Sequence, residues 1–136
     1  MIKIRYAVYD DYDLILKIDD SIDRNKWKIW TGNKQAVFAF DDNTFLGWLQ
    51  YSYFIEKYPF VNRLYIFEQY QNKGAGTALM NFWENEMKSK GEKVLMLSTE
   101  SDNIAQNLYY RLVYKCIGEL DLQRETKELM MLKKIY

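Results

Sequence analysis

Residues 70–79 read YQNKGAGTAL, with Gln71, Asn72 and Lys73 ahead of two glycines, Gly74 and Gly76, and Thr77 at the head of a helix-like run. Glycine lets a backbone adopt positive φ and come close to a ligand. The first N–H groups of a helix lack intrahelical partners and carry about half a positive charge. A glycine turn that feeds a helix therefore suits a phosphate or pyrophosphate. Lys73 could add a charge and Thr77 a hydroxyl. Three phosphate patterns compete for the stretch. A dinucleotide fingerprint, G-x-G-x-x-G, fails because Leu79 stands at the third glycine position. A nucleotide P-loop, G-x-x-x-x-G-K-[ST], fails because the lysine precedes the glycines. The pattern Q/R-x-x-G-x-G/A is met in full by Gln71, Gly74 and Gly76.

Composition limits the chemistry further. The 136 residues include no histidine and a single cysteine, Cys116. That removes Ser-His-Asp and Cys-His catalysis, most zinc chemistry and any internal disulfide. No metal is expected. A general base must be a carboxylate, tyrosine, lysine or water. Cys116 reads as a small buried hydrophobe. Lys+Arg and Asp+Glu both total 19, which argues against a dedicated nucleic-acid binder. Aromatics reach 17%, including 12 tyrosines, enough to line both a core and a pocket. No apolar run is long enough for a membrane span and no signal peptide is evident, so a cytoplasmic protein is expected.

The elements that must carry the loop follow from periodicity. MIKIRY alternates as a first strand, and 10–20 and 21–30 read as two helices, the second ended by the turn signal TGNK. Strands at 35–40 and 44–54 form a hairpin, and Pro59 closes the loop before a fourth strand at 60–66. A helix over 75–90 has Ala75, Leu79, Phe82, Trp83 and Met87 as its apolar stripe and Gly91 as its C-terminal cap. The run 93–99 reads as a strand buried on both faces. A helix over 101–113, with Asp102 as N-cap, precedes two closing antiparallel strands. Strand 60–66, helix 75–90 and strand 93–99 make a βαβ crossover, so those two strands should be parallel. Ligands of such sheets bind beyond the carboxyl ends of the strands, where the glycine loop lies. The Lys and Glu residues of ENEMKSKGEK read as a solvated helix face. No linker or repeat appears, so residues 1–136 are expected to form one α/β domain.

With the complete Q/R-x-x-G-x-G/A loop and this element order, the sequence resembles the GNAT superfamily of N-acetyltransferases over essentially its whole length. DNIAQNLYYRLVY resembles a second signature of that family, an Asn, an Ala and a Tyr on the helix after the fifth strand, with Ala105 and Tyr109 in register. The asparagine falls on Asn103, although one common spacing puts Asp102 there. The family's following Gly-Phe is replaced by Val113-Tyr114. The resemblance implies a mixed, mostly antiparallel central sheet of about seven strands flanked by about four helices, with a parallel βαβ core.

It also implies a cosubstrate, acetyl-coenzyme A. Gln71, Asn72, Lys73, Gly74, Ala75, Gly76 and Thr77 would hold its pyrophosphate, Leu64, Tyr65 and Ile66 would pair with its pantetheine arm, and Asn103 would assist. Tyr109 becomes the general acid that protonates the departing thiolate. Glu100, Glu56 or a water relay would act as base. Trp27, Trp30, Tyr51, Tyr53, Phe54 and Tyr58 are candidates for the acceptor pocket. The expected reaction is direct attack of a primary amine, on a small molecule or peptide, within a ternary complex. The alternative is a non-catalytic acyl-coenzyme A binding or sensor domain. Neither nucleic acid nor membrane is expected as a partner, and a homodimer through the closing strands stays open.

Overall fold

The computed structural model describes residues 1–136. Seven strands form one sheet: β1 (Ile2–Tyr6), β2 (Ala36–Asp41), β3 (Thr44–Phe54), β4 (Tyr58–Ile66), β5 (Val94–Glu100), β6 (Lys115–Leu120) and β7 (Glu128–Lys134). Their order is β1-β2-β3-β4-β5-β7-β6. The β1–β2, β2–β3, β5–β7 and β6–β7 pairings are antiparallel. β4 and β5 are parallel, paired at Phe60↔Met96 and Val61↔Leu97, as the crossover requires. Four α-helices accompany the sheet: α1 (Tyr12–Ile15), α2 (Arg24–Gly32), α3 (Ala75–Ser89) and α4 (Gln106–Arg111). None is long and apolar enough to cross a membrane.

Contacts group into two compact units, Met1–Tyr51 with Arg63–Trp83, and Ser52–Asn62 with Glu84–Tyr136. In the first, Ile15, Ile22, Trp27, Phe38, Phe45 and Trp48 make an aromatic core, with Phe38 and Phe45 rings 4.4 Å apart. This core lies on the sheet face covered by α2. Because side chains alternate along a strand, Tyr6, Val37, Leu49 and Tyr51 point to the opposite face. There Tyr6 meets Phe82 and Tyr51 meets Trp83, both on α3. In the second unit, Met87, Leu95, Leu97, Tyr109, Tyr114, Leu129 and Met131 are buried.

Several sequence expectations need correction. The first helix is a 3-10 turn (Tyr9–Asp11) followed by only four α-helical residues. Acidic residues suit a helix start but oppose its end, and the Asp19 side chain takes the Ser21 N–H instead of letting the helix continue. α2 runs through Thr31 and Gly32, read as a turn, because the Thr31 hydroxyl bonds back to the Trp27 carbonyl at 2.8 Å. Pro59 lies inside β4 and is buried. At the strand's second position its missing N–H interrupts little of the ladder.

α4 starts at Gln106, later than predicted, and Asp102 does not cap it. Asn103 accepts the Ala105 N–H at 2.8 Å, an Asx turn that holds 101–105 out of the helix. Cys116 is exposed rather than buried, because β6 is the edge strand and all six of its residues face solvent.

Candidate functional site

The glycine turn belongs to the first unit. β4 ends at Ile66, a 3-10 turn (Glu68–Tyr70) follows, and the chain enters α3 at Ala75. Gln71 donates from Nε2 to the Ile66 carbonyl at 3.0 Å, tying the head of the loop to the end of the strand. Asn72 and Gly74 are left-handed, at φ 62° and 90°. Asparagine tolerates that region better than most residues and glycine adopts it freely. The Gly74 carbonyl accepts the Ala78 N–H at 2.9 Å, so the helical ladder begins there. Ala75 is buried while residues 71–74 are exposed. The first-turn N–H groups of Ala75, Gly76 and Thr77 therefore have no ladder carbonyl to bond, and α3 aims its positive end at an open loop. This arrangement can hold an anion.

The strand leading into the loop is held close to its neighbour. Gly47 on β3 faces the β4 backbone so tightly that a Cβ there would lie 2.1 Å from the Tyr65 oxygen and 2.8 Å from the Ile66 Cα. β3 carries an extra residue at this point, since Ala39 pairs with Gly47 but Phe40 pairs with Phe45. The Phe67 N–H then bonds to the Leu46 carbonyl at 3.0 Å. Leu64 and Ile66 are half-buried, and Tyr65 is exposed. Gly47 was not singled out from sequence. A glycine inside an apolar strand is its signal.

On the α2 face, Arg63 donates to Asp19 Oδ2 at 2.8 Å. Its guanidinium also sits 5.6 Å and 5.8 Å from the ring centres of Trp30 and Trp48. Hydrogen bonds from the Ser21 hydroxyl and N–H, reinforced by Arg63, hold the Asp19 carboxyl below the usual carboxylate range. Neither Arg63 nor Asp19 carries a sequence motif. Among the expected pocket residues, Trp27 is fully buried, with its indole N–H on the Tyr9 carbonyl at 2.9 Å. Tyr51 is buried against Trp83. Both are core residues with no face left for an acceptor. Trp30 is half-buried.

The second unit contains Tyr109, which is buried. Its ring meets Tyr114 edge-on at 6.3 Å, and burial raises its hydroxyl to about 12. It stays protonated at any physiological pH. Tyr110, one residue on, is exposed. Tyr114 donates to Glu84 Oε2 at 2.8 Å, and Lys133 closes on Oε1 at 2.7 Å. Burial, together with the Glu84 carboxylate, pushes the Tyr114 hydroxyl well above its ordinary value. Glu84, read from sequence as part of a solvated face, is instead the shared acceptor of a half-buried network.

Glu100 is exposed and lies 3.5 Å from Arg124. Glu56 is exposed in the β3–β4 turn, where Ile55 and Glu56 are both left-handed. Tyr53 and Phe54 are exposed beside that turn, and Tyr58 is half-buried. Asn103 is exposed in the turn before α4.

Solved structures with similar folds cover nearly the whole chain. An N-acetyltransferase, PaiA of Thermoplasma acidophilum in complex with coenzyme A, aligns over 99% of each chain with a TM-score of 0.84 at 21% identity. The yncA protein of Salmonella typhimurium, with its cofactor acetyl-CoA, aligns over 99% of this chain and 94% of its own, with a TM-score of 0.81 at 19% identity. An N-acetyltransferase of Staphylococcus aureus aligns over 98% of each chain, with a TM-score of 0.81 at 18% identity. At these identities the likeness concerns the fold. No curated protein sequence matches the chain. The family model does: residues 4–113, which include β4, the glycine turn and α4, match the acetyltransferase (GNAT) family, and the chain belongs to that family.

Proposed function

We propose that residues 1–136 form a single domain that transfers the acetyl group of acetyl-coenzyme A to a primary amine, by direct attack within a ternary complex. The observation that carries this reading is the turn into α3. There Gln71 is anchored to Ile66 and Asn72 and Gly74 are left-handed, and the first-turn N–H groups have no ladder carbonyl to bond. Neighbours of the same fold that hold coenzyme A or acetyl-CoA support it.

In this reading the N–H groups over 73–77 hold the pyrophosphate, and the main chain of Leu64, Tyr65 and Ile66 aligns the pantetheine arm. Acetyl-coenzyme A supplies the thioester carbonyl that the amine attacks and the thiolate that leaves. A backbone N–H of β4 stabilises the developing oxyanion. Tyr109 stays neutral and delivers its hydroxyl proton to the sulfur as the C–S bond breaks. An acceptor amine with an ordinary pKa near 10 must first lose a proton. Glu100, Glu56 or water takes it, and Asn103 supports the coenzyme. Tyr53, Tyr58 and Trp30 remain as contacts for the acceptor.

The exposure of both carboxylate candidates favours a second reading, a non-catalytic acyl-coenzyme A sensor. One experiment separates the two. Thermal shifts with acetyl-coenzyme A, ATP and NAD identify the ligand, and thiol release over an amine library reports transfer. Stabilisation by acetyl-coenzyme A with acetylated product supports the transferase. Stabilisation without any product supports the sensor, and preference for ATP or NAD overturns both.

A further inference from the structure

Arg63 stands one residue before Leu64, on the face of β4 that meets α2. α3 packs against the opposite face of the sheet through Phe82 and Trp83. The guanidinium therefore does not belong to the anion site at the start of α3. It is fixed from two sides, by Asp19 on Nη1 and by the Trp30 and Trp48 rings. Asp19 is itself held, with Oδ1 accepting the Ser21 N–H at 3.0 Å and hydroxyl at 2.5 Å. The Nε and Nη2 hydrogens of Arg63 take no acceptor from the protein, and the side chain keeps 39% of its surface exposed.

An arginine held in this way presents a rigid fork whose geometry matches a carboxylate. Partial burial against indole strengthens such a pair relative to open water. The half-buried ring of Trp30 offers a flat apolar wall beside the fork.

We infer that Arg63 is a specificity-determining residue that binds a carboxylate of the acceptor, so that the substrate is a small amine that also carries a carboxylate, as free amino acids do. This inference rests on the acetyl-transfer reading. It adds that Asp19 is a positioning residue, which holds the fork without touching the acceptor, while the Trp30 ring both braces the fork and contacts the acceptor.

The test uses free amino acids, each matched with its carboxamide, against the intact protein. Thiol release gives kcat/KM for each member of a pair. Calorimetric binding to protein saturated with coenzyme A gives an affinity that does not depend on turnover. Wild type should favour the carboxylate members at least tenfold in both measurements. Arg63→Gln should erase the preference, with the coenzyme-induced shift in Tm unchanged, and Arg63→Lys should retain part of it. Equal or better use of the carboxamides, or a preference that survives Arg63→Gln, overturns the inference. A calorimetric preference that Arg63→Gln erases, without thiol release from any pair, supports the carboxylate site and favours the non-catalytic reading of the domain. Absence of both overturns the inference as well.

Discussion

Val113 stands at the end of α4 where Gly91 stands at the end of α3. Both are left-handed, at φ 72° and 85°. Both helices close with the same two main-chain bonds: Glu92 and Tyr114 bond back five residues, to Met87 and Tyr109, while Gly91 and Val113 bond back three. The closure needs a left-handed residue. Glycine supplies it without strain, and a β-branched valine pays for it in conformational energy.

Val113→Gly should therefore stabilise the protein. Left-handed geometry costs an ordinary residue about 1–2 kcal/mol, and glycine returns roughly 0.5–1 kcal/mol of that through its freer unfolded chain. Val113 is exposed, so little buried surface is lost. A gain near 1 kcal/mol, about 3 °C in Tm, is expected from thermal unfolding. A fall in Tm would show that the closure is not strained.

The glycine turn makes a different demand. Gly74→Ala places a side chain at φ 90°, which should cost about 1 kcal/mol of stability and shift the N–H groups that face the ligand. Coenzyme A affinity should drop about tenfold, the equivalent of 1.4 kcal/mol. Gln71→Ala removes one neutral hydrogen bond and should cost about threefold, at the low end of such bonds. Both are read from ligand-induced shifts in Tm.

Tyr109→Phe should lower turnover more than tenfold with little change in coenzyme affinity. The pH dependence follows from the direction of its shift. A tyrosine raised from its ordinary value near 10 to about 12 favours the folded state while neutral. That contribution is whole below about pH 10 and fades as pH climbs through about 12. The Phe variant should show a shallower loss of stability across that window. In wild type the rate should rise with deprotonation of the amine and show no falling limb from this tyrosine below about pH 11. A falling limb near pH 10 that vanishes in the Phe variant would show the hydroxyl titrating at its ordinary value, and unchanged turnover in Tyr109→Phe would refute the acid role.

Glu84→Ala strips two half-buried donors, the Tyr114 hydroxyl and the Lys133 ammonium, of their acceptor. A stability loss of about 2–3 kcal/mol is expected from urea unfolding. Glu84→Ala combined with Lys133→Met should lose less than Glu84→Ala alone, because the stranded charge goes with its partner.

What could be read from sequence was local. Gln71, Gly74 and Gly76 lie within six residues, and their spacing completes the Q/R-x-x-G-x-G/A pattern on which the family resemblance rests. The α3 stripe and the burial of β5 likewise show in short windows. Two of the features missed depend on distant partners. Asp19 and Arg63 are separated by 44 positions, and Glu84 and Lys133 by 49. No periodicity announces such a pair. Cys116 was misjudged because residue type suggests burial, while strand order decides it. α4 was overextended because Asp102 resembles a cap, whereas the Asx turn made by Asn103 delays the helix. Trp27 and Tyr51 entered the pocket list by position in the chain, and packing put both in the core.

Gly47 holds its place by the atom it lacks. All other standard residues carry a Cβ, and at position 47 that carbon would enter the main chain of β4 at Tyr65 and Ile66. The alphabet there has one letter. Most core positions accept a related hydrophobe after small adjustments, but here any replacement moves the strand proposed to align the acetyl donor. The tolerance of the proposed active site to mutation is thus set partly by a residue on the neighbouring strand that bears no functional group at all.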